Sequence, residues 1–171
     1  KAPHGLVVSR DGQYVFAAIF GDNQILEINA KSLKVERTFE APAPHNIAIS
    51  NDNKTIYAAS QKESQTGIAQ IDIASGKMVT LLRTDKVPRS LNLSPDGSAL
   101  TLTQFDHNDL QVYSTNPLKF LTKVDVGESP HHTIFTPNGK LLLVCNQLTD
   151  DVTFIDAKTW QVAGKIPVGR K

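Results

Sequence analysis

The histidines of this chain stand at positions that could bind a metal ion or an anion. Three of the five directly follow a proline, and a further proline at matching spacing is followed by arginine. Neutral imidazole is a common ligand of copper, zinc and iron, whereas a guanidinium suits a carboxylate or another oxyanion. The candidate ligand-binding residues are His4, His45, Arg89 and His131. The candidate metal ligands are His4, His45, His131 and His132.

A purely structural role for these residues is the alternative. A residue that follows proline at the start of a strand can lie in a loop and hydrogen-bond to a neighbouring carbonyl. Adjacent side chains in a regular strand point to opposite faces of the sheet. We therefore expect that His131 and His132 cannot easily bind one ion, and the pattern alone leaves both roles open.

The remaining reactive residues give weaker patterns. Cys145 follows the apolar run 141–144, so we expect a small core residue, with a metal ligand or reactive thiol as the alternative. The acidic stretches 105–109 and 149–151 lack the spacing and the glycine of a calcium loop, which predicts solvated loops. Ser90 and Ser129 have no nucleophile-elbow context, and no phosphate-binding loop is present, so no catalytic residue is assigned.

Three independent markers recur along the chain with one spacing. Prolines that open a short apolar run stand 41, 44 and 42 residues apart, and so do the third residues of four polar turn sequences. A second polar turn, after an apolar pair, recurs at intervals of 43, 42 and 42 residues. The first set of turns begins at Ser9, Ser50, Ser94 and Thr136. The chain therefore consists of four copies of a unit of about 42 residues.

Each unit is expected to form four short antiparallel strands, with almost no helix in the chain. Turns rich in Asp, Asn and Gly join antiparallel strands, and no segment shows sustained helical periodicity. Strands are predicted at 6–9, 14–20, 24–28 and 33–39 in the first unit, and at 133–135, 141–146, 152–155 and 161–168 in the fourth. A small sheet that is apolar on both faces must pack against neighbours. The pattern therefore predicts an all-β β-propeller whose blades are approximately residues 1–41, 42–86, 87–128 and 129–171 of a single domain, or of part of one.

Several phrases of the sequence resemble the YVTN repeat family of β-propellers. They are Ser94-Pro95-Asp96-Gly97, Val126-Gly127-Glu128-Ser129-Pro130, Leu143-Val144-Cys145-Asn146 and Val152-Thr153-Phe154-Ile155-Asp156. The resemblance extends over all four units and implies an extracytoplasmic protein, periplasmic or secreted. It departs from the family pattern at Asn53, where the turn glycine is missing, and at 100–103, where the aromatic residue is missing.

Chain length and charge limit the partners. The chain has 171 residues and a net charge of +1, which counts against binding a nucleic acid through bulk charge. The longest apolar run, residues 14–20, is too short to span a bilayer. Because family propellers usually have seven or more blades, we expect a piece of a longer propeller or a homodimer that completes an eight-bladed ring. A small closed four-bladed ring is the alternative.

These observations lead us to expect a non-catalytic extracytoplasmic scaffold that binds a protein or a small ligand at one face of the ring, without a cofactor. The alternative is a metal- or haem-dependent oxidoreductase, or a piece of one, that uses His4, His45 and His131 at the mouth of the channel. The resemblance implies copper or haem iron in that case, because some related propellers carry a copper cluster or a haem. A lactonase-type hydrolase is a third interpretation, and it needs convergent acidic metal ligands that the sequence does not reveal.

Overall fold

Four antiparallel sheets make up the protein. The structure is a computed structural model that describes residues 2–169. The first sheet contains β1 (Pro3–Val8), β2 (Tyr14–Ile19), β3 (Gln24–Asn29) and β4 (Val35–Glu40), and the second contains β5 (Pro44–Ile49), β6 (Thr55–Ser60), β7 (Gly67–Asp72) and β8 (Lys77–Arg83). The third contains β9 (Pro88–Leu93), β10 (Ala99–Gln104), β11 (Asp109–Thr115) and β12 (Leu118–Asp125), and the fourth contains β13 (Pro130–Phe135), β14 (Leu141–Asn146), β15 (Asp151–Asp156) and β16 (Gln161–Pro167). In every sheet the strands follow one another in chain order.

The all-β prediction is confirmed, with four strands in each of the four sheets. Between residues 2 and 169, helix is limited to two single 3-10 turns, Phe20–Asp22 and Glu63–Gln65. None of the described helices is long and apolar enough to cross a membrane. Residues 1, 170 and 171 of the first and last expected blades lie outside the described part of the chain.

The turn between the first two strands of each sheet explains the recurring polar tetrad. In the third sheet Ser94 Oγ donates to Asp96 Oδ1 over 2.6 Å, and the same oxygen accepts the backbone N–H of Ser98 at 3.0 Å. The fourth residue of the turn has a left-handed backbone, which glycine adopts at no steric cost. Gly97 has φ 77°, and Asn53 takes the equivalent conformation with φ 57°. Asn53 can replace the glycine because asparagine tolerates this conformation better than other residues.

In the first, second and fourth sheets the proline position forms a β-bulge rather than a regular strand start. In the fourth sheet Pro130 is opposite Asn146 while His132 is opposite Cys145, so one extra residue is accommodated in β13. The register of β1 against β2 and of β5 against β6 shifts in the same place. A bulge interrupts the alternation of side chains and redirects those beside it.

The chain divides into two compact units, residues 1–88 and residues 89–171. In the first unit the first two sheets share a core that includes Phe16, Ile25, Phe39, Ile47 and Ile56. In the second unit the third and fourth sheets share a core that includes Leu110, Val112, Phe135, Leu142 and Ile155. Each core joins two sheets, as expected for sheets that are apolar on both faces.

Cys145 corrects one expectation, because it is exposed rather than part of the core. Burial alternates along β14: Leu142, Val144 and Asn146 are buried, whereas Cys145 points to the other face. At the equivalent position of β10, Thr103 is fully buried. The run of apolar residues before Cys145 is therefore buried on one side of the strand only.

Candidate functional site

The residues after the four prolines all lie at the second position of the first strand of their sheet. His4, His45, Arg89 and His131 occupy this position in β1, β5, β9 and β13. Pro44, Pro88 and Pro130 are buried, which fixes the backbone just before His45, Arg89 and His131, whereas Pro3 is exposed. The bulge beside the proline then directs the polar side chains away from the apolar core.

In the first unit, His4 and His45 stack on each other. Their ring centroids lie 3.6 Å apart with planes tilted by 36°, and Phe20 is 6.4 Å from the His4 ring. The strands can approach this closely because Gly5 has no side chain: a Cβ there would lie 2.7 Å from the carbonyl oxygen of His45. The structure therefore brings these two predicted residues together.

In the second unit, two neighbouring side chains position the guanidinium group of Arg89. Its guanidinium carbon lies 4.5 Å from the centroid of the Phe105 ring, and one N–H donates to Ser129 Oγ over 3.0 Å. The other guanidinium donors have no hydrogen-bond partner among residues 2–169. A planar cation held in this way is suited to bind a carboxylate, a phosphate or a developing oxyanion.

His131 is kept neutral by its surroundings. Desolvation of the ring, followed by the positive charge of Arg89 and the neighbouring His132, lowers the pKa of His131 below its ordinary value of 6.5. Each of these influences disfavours the imidazolium form. At neutral pH the side chain is therefore an uncharged imidazole that can accept a proton.

His131 and His132 line the same cleft, which corrects the expectation that they point to opposite faces. The cleft has a volume of about 410 Å³, and both histidines, Cys145, Asn146 and Asp151 contribute to its wall. The alternation fails here because the bulge between Pro130 and His132 changes the strand register.

A hydrogen-bond network that the sequence did not indicate supports one wall of this cleft. The Asn146 amide donates to Asp151 Oδ1 over 2.6 Å and to Thr153 Oγ1 over 2.8 Å. Burial acts to raise the pKa of Asp151, but hydrogen bonds from Thr149 and Asn146 outweigh it, and the net shift is downward. A cross-strand network gives no local sequence signal, and the stretch 149–151 was expected to be a solvated loop.

The metal assignment to His4, His45, His131 and His132 stays a prediction. Within the described part of the chain, no three His, Cys, Asp or Glu side chains lie close enough together to hold a metal ion. Neither copper nor haem enters the chemistry proposed below.

Solved structures with the same architecture define the class of the protein as a β-propeller. Hydrazine synthase of Kuenenia stuttgartiensis is similar, with a TM-score of 0.86 and 21% identity over 95% of this chain and 48% of that chain. A candidate 6-phosphogluconolactonase of Bacteroides uniformis ATCC 8492 gives a TM-score of 0.78 and 22% identity over 97% of this chain and 55% of that one. The Cps50 (Swd1) β-propeller domain of Myceliophteria thermophila gives a TM-score of 0.80 and 13% identity over 98% of this chain and 55% of that one. The chain thus spans about half the length of the structures it matches.

The family described as "Lactonase, 7-bladed beta-propeller" matches residues 34–121, slightly more than half of the chain. The protein belongs to this family. No curated protein matches the sequence. The expectation of a non-catalytic scaffold is therefore wrong: it rested on the absence of a catalytic motif, whereas the family is named for an enzyme activity.

Proposed function

We propose that the protein takes part in hydrolysis of a lactone, a cyclic ester. The observation that carries the proposal is membership of the lactonase family. The candidate 6-phosphogluconolactonases among the similar structures agree with it in fold. Hydrolysis of this kind needs a base to activate water and a positive group to stabilise the oxyanion.

His131 and Arg89 can supply these two functions. The neutral imidazole of His131 accepts a proton from a water molecule while the water oxygen forms a bond to the lactone carbonyl carbon. The carbonyl oxygen then carries the negative charge, and the guanidinium of Arg89 stabilises it. When the ring C–O bond breaks, the imidazolium of His131 returns the proton to the leaving alkoxide. One water is consumed and one hydroxy acid is formed.

Arg89 also suits an anionic substituent on the substrate. Its planar group is fixed by Phe105 and Ser129, so little side-chain entropy is lost when it binds a phosphate or carboxylate. We therefore place phosphorylated or acidic sugar lactones first among the candidate substrates.

The test is proton release in a pH-stat by the purified 171-residue chain, with 6-phosphogluconolactone and unsubstituted gluconolactone as substrates. We expect catalysed ring opening of the phosphorylated lactone above the spontaneous rate. His131→Gln should lower kcat by at least about 100-fold, since general base catalysis contributes on the order of 10²–10⁴. Arg89→Met should lower kcat and raise KM.

Matched controls are His107→Gln and Arg10→Met, which change the same residue types at positions with no assigned role and should leave kcat unchanged. Binding of the product acid, followed by the NMR shift of the His131 imidazole, gives a second measurement that does not depend on turnover. The proposal is rejected if the protein shows neither turnover nor product binding. An equal loss of activity in the control variants and in His131→Gln and Arg89→Met would remove the roles of His131 and Arg89.

Four earlier predictions continue as proposals. An extracytoplasmic location and specific membership of the YVTN repeat group are supported by the repeat sequence. Completion of a larger ring by a second chain is supported by the match to about half of each similar structure. Copper or haem iron is supported by the histidine spacing alone, and metal analysis of purified protein with a His45→Ala comparison tests it.

A further inference from the structure

A second cleft in residues 89–171 lies at the other end of β9 and β13 from Arg89 and His131. It has a volume of about 380 Å³ and is enclosed by the turn after β9, the turn after β13 and the turn after β15. Phe135 and Ala99 contribute apolar surface, and both are buried. A volume of this size lies within the range of small-ligand sites.

Trp160, which also lines this cleft, has a strained backbone conformation. Its φ is 56°, and its backbone N–H donates to the carbonyl of Asp156 over 2.8 Å. Gly76 occupies the same position in the second sheet, with φ 71° and a bond to the carbonyl of Asp72, and Leu33 occupies it in the first sheet, with φ 58° and a bond to the carbonyl of Asn29. A left-handed backbone is unfavourable for a bulky side chain. The turn forms with glycine or with leucine at this position, so the turn does not require an indole ring.

The position of the Trp160 ring is fixed. It packs edge-to-face on Phe135, with centroids 6.4 Å apart and planes at 78°. The side chain is half-buried in the cleft wall. Within residues 2–169 the indole N–H has no hydrogen-bond partner, so it can donate to a ligand.

The cleft that holds the Trp160 ring is also lined by a hydrogen-bond acceptor, Asp96, and by a donor, Asn138. The hydrogen bond from Ser94 lowers the pKa of Asp96, so the side chain is an ionised acceptor. Asn138 uses its oxygen to accept from Thr136 Oγ1 and the backbone N–H of Lys140. Its amide N–H groups have no partner within residues 2–169. The cleft therefore offers two kinds of donor and one charged acceptor around an aromatic surface.

We propose that this cleft binds a neutral saccharide. A sugar ring places its C–H groups on an aromatic surface, while its hydroxyl groups donate to a carboxylate and accept from N–H groups. An organic cation would be repelled by the partial positive charges on the unpaired N–H groups of Trp160 and Asn138. A proline-rich peptide lacks the backbone N–H groups that Asp96 needs. The proposal uses different residues from the proposed hydrolysis and does not depend on it.

Trp160 is the single tryptophan of the chain, so its fluorescence reports on the cleft directly. The probes are cellobiose, maltose and diacetylchitobiose, titrated into the full chain. We expect a saturable change in emission with at least one of them, with a dissociation constant of about 1 mM.

Two variants separate binding from folding. Trp160→Gly places in this turn the residue that the second sheet uses, so far-UV circular dichroism should stay the same while calorimetry shows no sugar binding. Asp96→Asn should weaken binding at least about fivefold, and Asn138 shows that the equivalent turn forms with asparagine. Asp52→Asn, the same change in the first unit, is the control and should leave the affinity unchanged.

Three outcomes would overturn the proposal. They are the absence of saturable binding with every sugar, an unchanged affinity in Trp160→Gly, and saturation by choline or decaproline in place of the sugars.

Discussion

The close approach of β1 and β5 can be tested by adding one methyl group. A Cβ at Gly5 would lie 2.7 Å from the carbonyl oxygen of His45, 2.9 Å from the Cα of Asn46 and 3.2 Å from the backbone nitrogen of Ile47. All three are backbone atoms and cannot rotate away. Favourable contacts between carbon atoms lie near 3.5–4.0 Å, so in Gly5→Ala the two strands must separate by about half an ångström or more.

We expect Gly5→Ala to lower the free energy of unfolding by about 2 kcal/mol, within the roughly 1–3 kcal/mol found for overpacking. For a chain of this length that corresponds to a fall in Tm of about 4–8 °C. The assay is thermal unfolding followed by far-UV circular dichroism, with urea unfolding as a second measure of the free energy.

Gly164→Ala is the matched control. A Cβ at Gly164 has no atom within 4 Å, and the backbone there is not left-handed. This change should be neutral or stabilise by about 0.4–1 kcal/mol, because alanine restricts the unfolded chain. If Gly5→Ala and Gly164→Ala unfold at the same temperature, β1 and β5 do not approach as described and the stacking of His4 on His45 loses its basis.

The remaining predictions concern charge and hydrogen bonding. Arg89→Met removes one cause of the lowered His131 pKa, so the acid limb of the pH–kcat profile should move to higher pH; an unmoved limb excludes His131 as the base. Hydrogen bonds from serine lower the pKa of three turn carboxyls below the ordinary value of 3.8. The ionised carboxyls therefore stabilise the folded protein above pH 3.8, and this contribution is lost as the pH falls through the lowered pKa. The three are Asp11, Asp52 and Asp96. A triple Asp→Asn variant should lose less stability than wild type between about pH 5 and pH 2 in urea titrations, and an identical pH dependence would contradict this. Asn146→Ala leaves the fully buried Thr153 hydroxyl without its donor and should cost about 1–3 kcal/mol, whereas a change below about 0.5 kcal/mol in urea unfolding would show that the network is not stabilising.

Local rules account for most of the fold prediction. The polar tetrads predicted turns because Asp and Asn oxygens bond to a backbone N–H two residues ahead, and these bonds form in all four sheets. Strand positions followed from short apolar runs between the turns, and β14 begins and ends at the predicted residues. The predicted start of the first strand at residue 6 was late, because β1 includes the bulge and begins at Pro3.

The candidate site could be predicted only in part. The spacing of the prolines identified Arg89 and His131, but function assigned from the lack of a motif led to a scaffold, which the family membership contradicts. Asn146 and Asp151 could not be found, since the bond between them joins two strands whose pairing a sequence pattern does not describe.

The turns and the strands could be predicted from the sequence because each depends on residues within a few positions of one another, and the fourfold repeat because its markers recur every 41–44 residues. Which faces are buried and which side chains meet depends on the packing of the folded sheets. Cys145 is exposed and His4 stacks on His45 because burial and contact depend on how sheets about 40 residues apart in the chain pack together. That packing is set by the shape of both partners, and neither strand carries it alone.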